Sequence, residues 1–193
     1  MIPLFKPFMP ETVLEPLAKT LLSGWIGEGP RVREFEAALA QRLGVAVEQV
    51  VTVNSGTSSL QLALRLAKVG PGDEVISTAM TCAATNEPIV LAGARIRWAD
   101  IDPLTGNISA SSIASAITDK TKAIMIVHWG GYPCDLQAIN EIAASRAAPA
   151  KTITDIAIAS HGSTPAATAA APVIMPNGML PRMPGAWSRK PAR

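Results

Sequence analysis

VNSGTSSLQLALRLA, residues 53–67, sets the reading of this chain. An apolar run of Val50, Val51 and Val53 stops at Asn54. Three small residues follow, Ser55, Gly56 and Thr57. Apolar residues then recur at Leu60, Leu64 and Ala67, with the spacing of one helix face. The junction predicts a short buried strand over Val50 to Val53 passing into a helix over Ser58 to Lys68. A helix start leaves backbone N–H groups unpaired and carries partial positive charge. Gly56 permits close approach to that backbone, and Ser55, Thr57 and Ser58 offer hydroxyls. Two readings of these residues stand side by side: a helix merely capped by Asn54 or Ser55, or a seat for a phosphate. The stretch matches neither G-x-x-x-x-G-K-[ST] nor G-x-G-x-x-G, so it specifies no nucleotide.

The alternation of strand and helix extends outward from this junction. Upstream, Pro10 opens a helix over Glu11 to Leu22, with Val13, Leu14, Leu17, Leu21 and Leu22 on one side. WIGEGP is a glycine-rich loop, and Val32, Phe35, Leu39 and Leu43 mark a second helix closed by Gly44. Downstream, VIST is a strand, Ala83 to Leu91 a helix despite Pro88, and ARIRWADID a strand. Ser109 or Ser111 caps a helix through Ile117, KAIMIVHW is a strong strand, and Asp135 caps a helix through Ala144. Strands alternating with helices from residue 50 to 144 predict an α/β fold, a mostly parallel sheet with helices on both faces. Ligands of such sheets lie beyond the carboxyl ends of the strands. Asn54 to Thr57, Met80 to Thr85 and His128 to Asp135 fall at such ends.

The chain has 193 residues, enough for one ordinary domain or a domain with a tail, and 48% of them are hydrophobic. A net charge of +2 asks for no nucleic acid or membrane surface. Two cysteines, Cys82 and Cys134, make neither a disulfide framework nor a metal site, and fit a cytoplasmic protein. No signal peptide is visible and no apolar run reaches the ~20 residues of a membrane span. The average charge conceals two unlike parts. Residues 1–145 carry a net charge of −3. Residues 146–193 carry +5, with Asp155 the one acid, seven prolines and twelve alanines. STPAATAAAP and MPNGMLPRMPG read as low-complexity sequence, so a boundary is placed near Ser145.

Other polar residues admit structural and functional readings. His128 ends an apolar strand and either closes it or serves a cofactor or a proton. Asp100 and Asp102 point to opposite faces of a strand end, which disfavours a paired acid–base site. Cys82 has no histidine nearby in sequence to activate it. Trp25 beside Gly27 and Gly29 either packs into the core or covers a ligand. Lys120 and Lys122 flank a strand start as solvated charges, and His161 lies in the biased tail.

Four segments in order narrow these readings: SGWIGEGPRVREFEAALAQRLG, VTVNSGTSSLQLAL, GPGDEVISTAMTCAATNEPIVLAGARIRWADIDPLTGNI and KAIMIVHWGGYPCDLQAINEIA. Together they resemble the DegT/DnrJ/EryC1/StrS family of pyridoxal-phosphate-dependent aminotransferases, over residues 1 to about 145. The resemblance implies the large domain of a fold type I transferase, in truncated form. It also implies a homodimer in intact relatives, a nucleotide-linked keto sugar as substrate and an amino acid as amino donor. Gly56 and Thr57 match the positions that bind the cofactor phosphate. Cys82 matches a position, often aromatic, that covers the pyridine ring. His128 opens the segment beside the cofactor, and Trp25, Gly27 and Glu28 match the segment near the sugar nucleotide.

The chain departs from the family after INEIAA. There the family continues with a strand ending in an Asp that pairs with the pyridine nitrogen. About two dozen residues later come a Ser and the Lys that forms the Schiff base. Asp155 and Lys190 fall near those places without the flanking pattern, and neither is assigned the role. The expectation is an incomplete and inactive aminotransferase fragment, with residues 146–193 disordered or out of frame. Two alternatives stand beside it: a dehydratase of the same family, in which His replaces the Lys, and a non-catalytic chain that binds a ligand or a partner.

Overall fold

The computed structural model describes residues 9–145 and 150–155. A 3₁₀ turn at Glu11–Val13 leads into α1 (Leu14–Leu22), and α2 (Pro30–Leu43) follows the glycine-rich loop. Pro30 occupies the first turn of α2, where its missing N–H costs nothing. Gly44 ends the helix at φ 68, a left-handed conformation that favours glycine. The order then runs α3 (Gly56–Leu66), β1 (Glu74–Ser77), α4 (Ala83–Leu91), β2 (Arg95–Trp98), α5 (Ala110–Ala116), β3 (Thr121–Val127), α6 (Leu136–Ala144) and β4 (Lys151–Asp155). Pro88 lies buried within α4, as the helical reading of that stretch requires.

The four strands form one parallel sheet in the order β2-β1-β3-β4. Successive residues of β1 and β3 serve opposite faces. Ile76, Ile124 and Ile126 pack with Ile113 and Ala116 of α5 and Ile139 and Ala143 of α6. Val75, Ala123 and Met125 pack with Leu60, Ala63 and Leu64 of α3 and Ile89 of α4. A parallel strand buried on both faces reads as a continuous apolar run, which is why β3 was plain in sequence. The chain steps from β1 to β2 in one direction and from β3 to β4 in the other. Right-handed crossovers then put α4 and α6 on opposite faces. The reversal opens a crevice at the carboxyl ends of β1 and β3.

Two elements differ from the sequence reading. Val50 to Val53 is no strand, and Val51 is 63% exposed. A strand needs a hydrogen-bonded neighbour, and none of the described strands lies beside it. Conversely, β4 lies past the boundary drawn near Ser145. It pairs with β3 from Ala123↔Lys151 to Val127↔Asp155. KTITD has one bulky apolar residue, Ile153, and sits among alanines and prolines, so its composition masked it. Residues 146–149 and 156–193 lie outside the described residues. Helix α1 has the predicted one-sided pattern, yet buries none of its residues: Leu14, Leu17 and Leu21 stay exposed.

The run before α3 is anchored from α2. Glu36 Oε1 accepts hydrogen bonds from the Thr52 N–H (2.9 Å) and the Thr52 hydroxyl (2.8 Å). The backbone bond, then the hydroxyl, hold the Glu36 carboxyl below its ordinary value. A carboxyl with a lowered folded pKa stabilises fully above its unfolded value, here 4.5, and that contribution disappears as pH falls through the folded pKa. Glu36→Gln is therefore expected to flatten the loss of stability on acidification below about pH 4.5. Urea midpoints taken from about pH 6 down to about pH 3 check this, because only the parent should show this part of the pH dependence.

Candidate functional site

Helix α3 settles how the opening junction is built. Ser55 is its N-cap, and its hydroxyl accepts from the Ser58 N–H at 3.2 Å and meets the Ser58 hydroxyl at 2.9 Å. The Ser55 carbonyl accepts the Ser59 N–H. The cap thus satisfies the N–H groups of Ser58 and Ser59. Those of Gly56 and Thr57 have no hydrogen-bond partner among the described residues. A Cβ placed on Gly56 would meet nothing within 4 Å, so the space before these two N–H groups is open. Capping and anion binding are compatible here, because they use different donors of one turn.

The C-terminus of α3 feeds the turn into the amino end of β1, so its N-terminus lies toward the carboxyl end of the sheet. Helix α4 follows β1 and starts at that same end, packed against α3 through Ile89 and the Leu60–Leu64 face. Two helix starts thus bring partial positive charge to one side of the crevice. The loop between β1 and α4 is tied down. The Ser77 hydroxyl donates to Asn86 Oδ1 (2.6 Å), and the Asn86 amide donates to the Thr78 carbonyl (3.0 Å). The Thr81 and Thr85 hydroxyls meet at 2.8 Å. Cys82 is the N-cap of α4, exposed, and makes no side-chain cap bond.

Across the crevice, His128 follows β3 and its Nδ1 accepts the Cys134 N–H at 3.0 Å. In the neutral imidazole that acceptor role places the ring proton on Nε2. The buried Cys134 thiol donates to the Val127 carbonyl (3.2 Å), and burial pushes its pKa up to about 11. It stays protonated and serves as a structural donor. Asp155 ends β4 in register with Val127, at the same end of the sheet.

Gly56, Thr57, Cys82 and His128 therefore share the carboxyl end of the sheet. Trp25, Gly27 and Glu28 lie in the loop between α1 and α2, where the Trp25 ring leans on Gly29. Among the described residues, no hydrogen bond or ion pair joins that loop to Gly56, Thr57 or Cys82. Asp102 is a turn residue: its carboxylate accepts the Leu104 N–H (2.8 Å) and its carbonyl the Gly106 N–H (2.8 Å). At the opposite, amino end, a cavity of about 350 Å³ is lined by Asp73, Glu74, Arg95 and Lys120. Four of the five described lysines also avoid the carboxyl end. Lys68 follows α3, Lys120 precedes β3, Lys122 begins it and Lys151 begins β4, while Lys19 pairs with Glu15 on α1. Sequence reasoning missed Asn86 and Asn107, whose partners lie across loops and show no local signal.

Comparison with known proteins identifies the family to which this fold belongs. The sequence model of the DegT/DnrJ/EryC1/StrS aminotransferase family matches residues 8–168. The dTDP-4-dehydro-2,3,6-trideoxy-D-glucose 4-aminotransferase of Saccharopolyspora spinosa is 42% identical over 139 residues, 72% of this chain and 36% of that protein. The crystal structure of the aminotransferase TlmJ from Streptoalloteichus hindustanus superposes with a TM-score of 0.76 at 40% identity, over 81% of this chain and 42% of that one. NtdA of Bacillus subtilis, crystallised with the cofactor PMP bound, superposes at 0.69 with 33% identity, over 75% of this chain and 32% of that one. The chain thus spans well under half the length of the relatives it matches. Among the described residues, no helix is long and apolar enough to cross a membrane.

Proposed function

Because the chain belongs to the DegT/DnrJ/EryC1/StrS aminotransferase family, we propose that it is the cofactor-holding part of a pyridoxal-phosphate-dependent transaminase acting on nucleotide-linked keto sugars. The start of α3 carries this reading, with two unpaired N–H groups, an open space at Gly56 and a second helix start beside it. The N–H groups of Gly56 and Thr57 and the Thr57 hydroxyl hold the phosphate. Cys82, small and exposed, lies at the ring face and supplies no aromatic cover, so affinity rests mainly on the phosphate. His128 borders the site from β3. The register of β4 favours Asp155 as the partner of the pyridine nitrogen, a role its flanking sequence alone did not support. When bound, the cofactor supplies an electron sink that lets an amino group pass from an amino-acid donor to the keto carbon. Trp25, Gly27 and Glu28 serve the sugar nucleotide.

The whole protein is a homodimer in this reading. The uncovered apolar face of α1, together with Trp25 (61% exposed) and Ile26 (76% exposed), supports a partner surface there. Strand β4 and the family match through residue 168 support placing any departure from the family's reading frame after Asp155. Among the described residues, the placement of Lys68, Lys120, Lys122 and Lys151 toward the amino end supports non-covalent cofactor binding, without transamination. Mixing the protein with pyridoxal 5′-phosphate, reducing with borohydride and mapping the product by mass spectrometry tests this. The expected result is no stoichiometric lysine adduct. A stoichiometric adduct on one lysine contradicts it.

A further inference from the structure

Asn107 is 5% exposed in the turn after β2, and its amide grips a segment more than twenty residues away. Its Oδ1 accepts the Trp129 N–H at 2.9 Å, and its Nδ2 donates to the Tyr132 carbonyl at 2.9 Å. The turn that carries it is itself closed by the Asp102 N–H to the Asn107 carbonyl (2.8 Å) and the Ile101↔Ile108 bridge. The gripped segment is pinned a second time where Cys134 donates to His128. Between these ties Gly130 and Gly131 take φ values of 60 and 80, which let the backbone double back. The Trp129 indole is seated on Gly106. A Cβ there would lie 2.8 Å from Trp129 Cδ1, and φ 72 also favours glycine at that position.

The backbone is thus fixed while both rings stay partly exposed. Trp129 remains 39% exposed and Tyr132 44% exposed, at the carboxyl end of β3 beside His128. The Trp129 indole N–H has no acceptor among the described residues. Rigid, half-exposed aromatic side chains at the mouth of a sheet crevice suit a flat ring that stacks and carries acceptors. We infer that Asn107 holds the Trp129–Tyr132 segment as a pre-formed aromatic subsite for the planar heteroaromatic ring of a phosphorylated ligand. The ligand class rests on the proposed function. Two ligands share this chemistry, the pyridine ring of the cofactor and the base of the sugar nucleotide.

Pyridoxamine 5′-phosphate and thymidine diphosphate, titrated separately into the full chain, distinguish them. Trp129→Leu removes the ring and leaves the clamp. It should weaken the probe that uses the subsite about tenfold, the size of one ring-stacking contact, with the unfolding midpoint shifted only a few degrees. Asn107→Asp keeps the side-chain size and loses the donor to Tyr132. It should weaken binding of that probe and reduce its quenching of the part of the tryptophan fluorescence that Trp129→Leu removes. Unchanged affinity for both probes in Trp129→Leu overturns the subsite. A folded Asn107→Asp chain with parental quenching and affinity overturns the positioning role. A parent chain that binds neither probe overturns both this inference and the proposed function, whereas parental binding with unaffected variants overturns this inference alone.

Discussion

Gly56→Glu is expected to lower affinity for pyridoxamine 5′-phosphate at least about 100-fold while leaving the fold as stable as before or slightly more so. The two effects have opposite signs, which makes the substitution informative. Gly56 does not have positive φ, and a Cβ there meets nothing within 4 Å, so a side chain enters without strain. Helix α3 has no acidic residue in its first turn. A carboxylate there complements the helix dipole and contributes roughly 0.3–1 kcal/mol. The same carboxylate occupies the seat and faces the phosphate. Two unit charges at ~4 Å repel by about 4 kcal/mol at the effective dielectric of a protein surface, and a phosphate carries more than one charge. Calorimetric titration and a thermal melt on one preparation give both quantities. Loss of binding accompanied by loss of stability would mean that the start of α3 serves the fold and not the anion.

Ile124→Ala should cost about 2–5 kcal/mol, much of the roughly 5–15 kcal/mol that holds a domain together. Ile124 is fully buried at the middle of β3, one of the two inner strands, in register with Ile76 and Thr152. It faces α5 and α6 with Ile113, Ile126 and Ile139, and both neighbouring strands hold the backbone, so little can move in to fill the space. Lys122→Ala, two residues earlier on an exposed position, should stay within about 0.5 kcal/mol. Urea unfolding of the two variants measures the contrast. Comparable small losses in both would mean that this sheet does not carry the stability of the chain.

The fold was legible where a pattern is local. β3 announced itself as an unbroken apolar run, Asp135 caps its helix as expected, and Ser55 and Ser109 are the caps where the sequence left Asn54 or Ser55 and Ser109 or Ser111. Partnership across distance was not legible. Val50 to Val53 has strand-like residues and no strand beside it, while Lys151–Asp155 has little apolar character and becomes β4 because β3 offers an edge. Periodicity reports what a segment can bury, not what is present to bury it against. The same limit governed the site. The junction at Gly56 was visible because its donors and its cap are adjacent in sequence. The grips of Asn86 and Asn107 were not: Asn86 holds the Ser77 hydroxyl and the Thr78 carbonyl across the loop before α4, Asn107 bonds two backbone groups of a later loop, and neither leaves a spacing to read.

The phosphate seat at Gly56 and Thr57 is the centre of the proposed function. Parallel titrations of the full chain with pyridoxamine 5′-phosphate and with pyridoxamine lacking the phosphate test it most directly. The expected result is saturable one-to-one binding of the phosphorylated compound, and binding of the unphosphorylated one weaker by at least about 100-fold, the value of one or two charge-assisted hydrogen bonds. Equal affinity for the two compounds, or binding of neither, would contradict it.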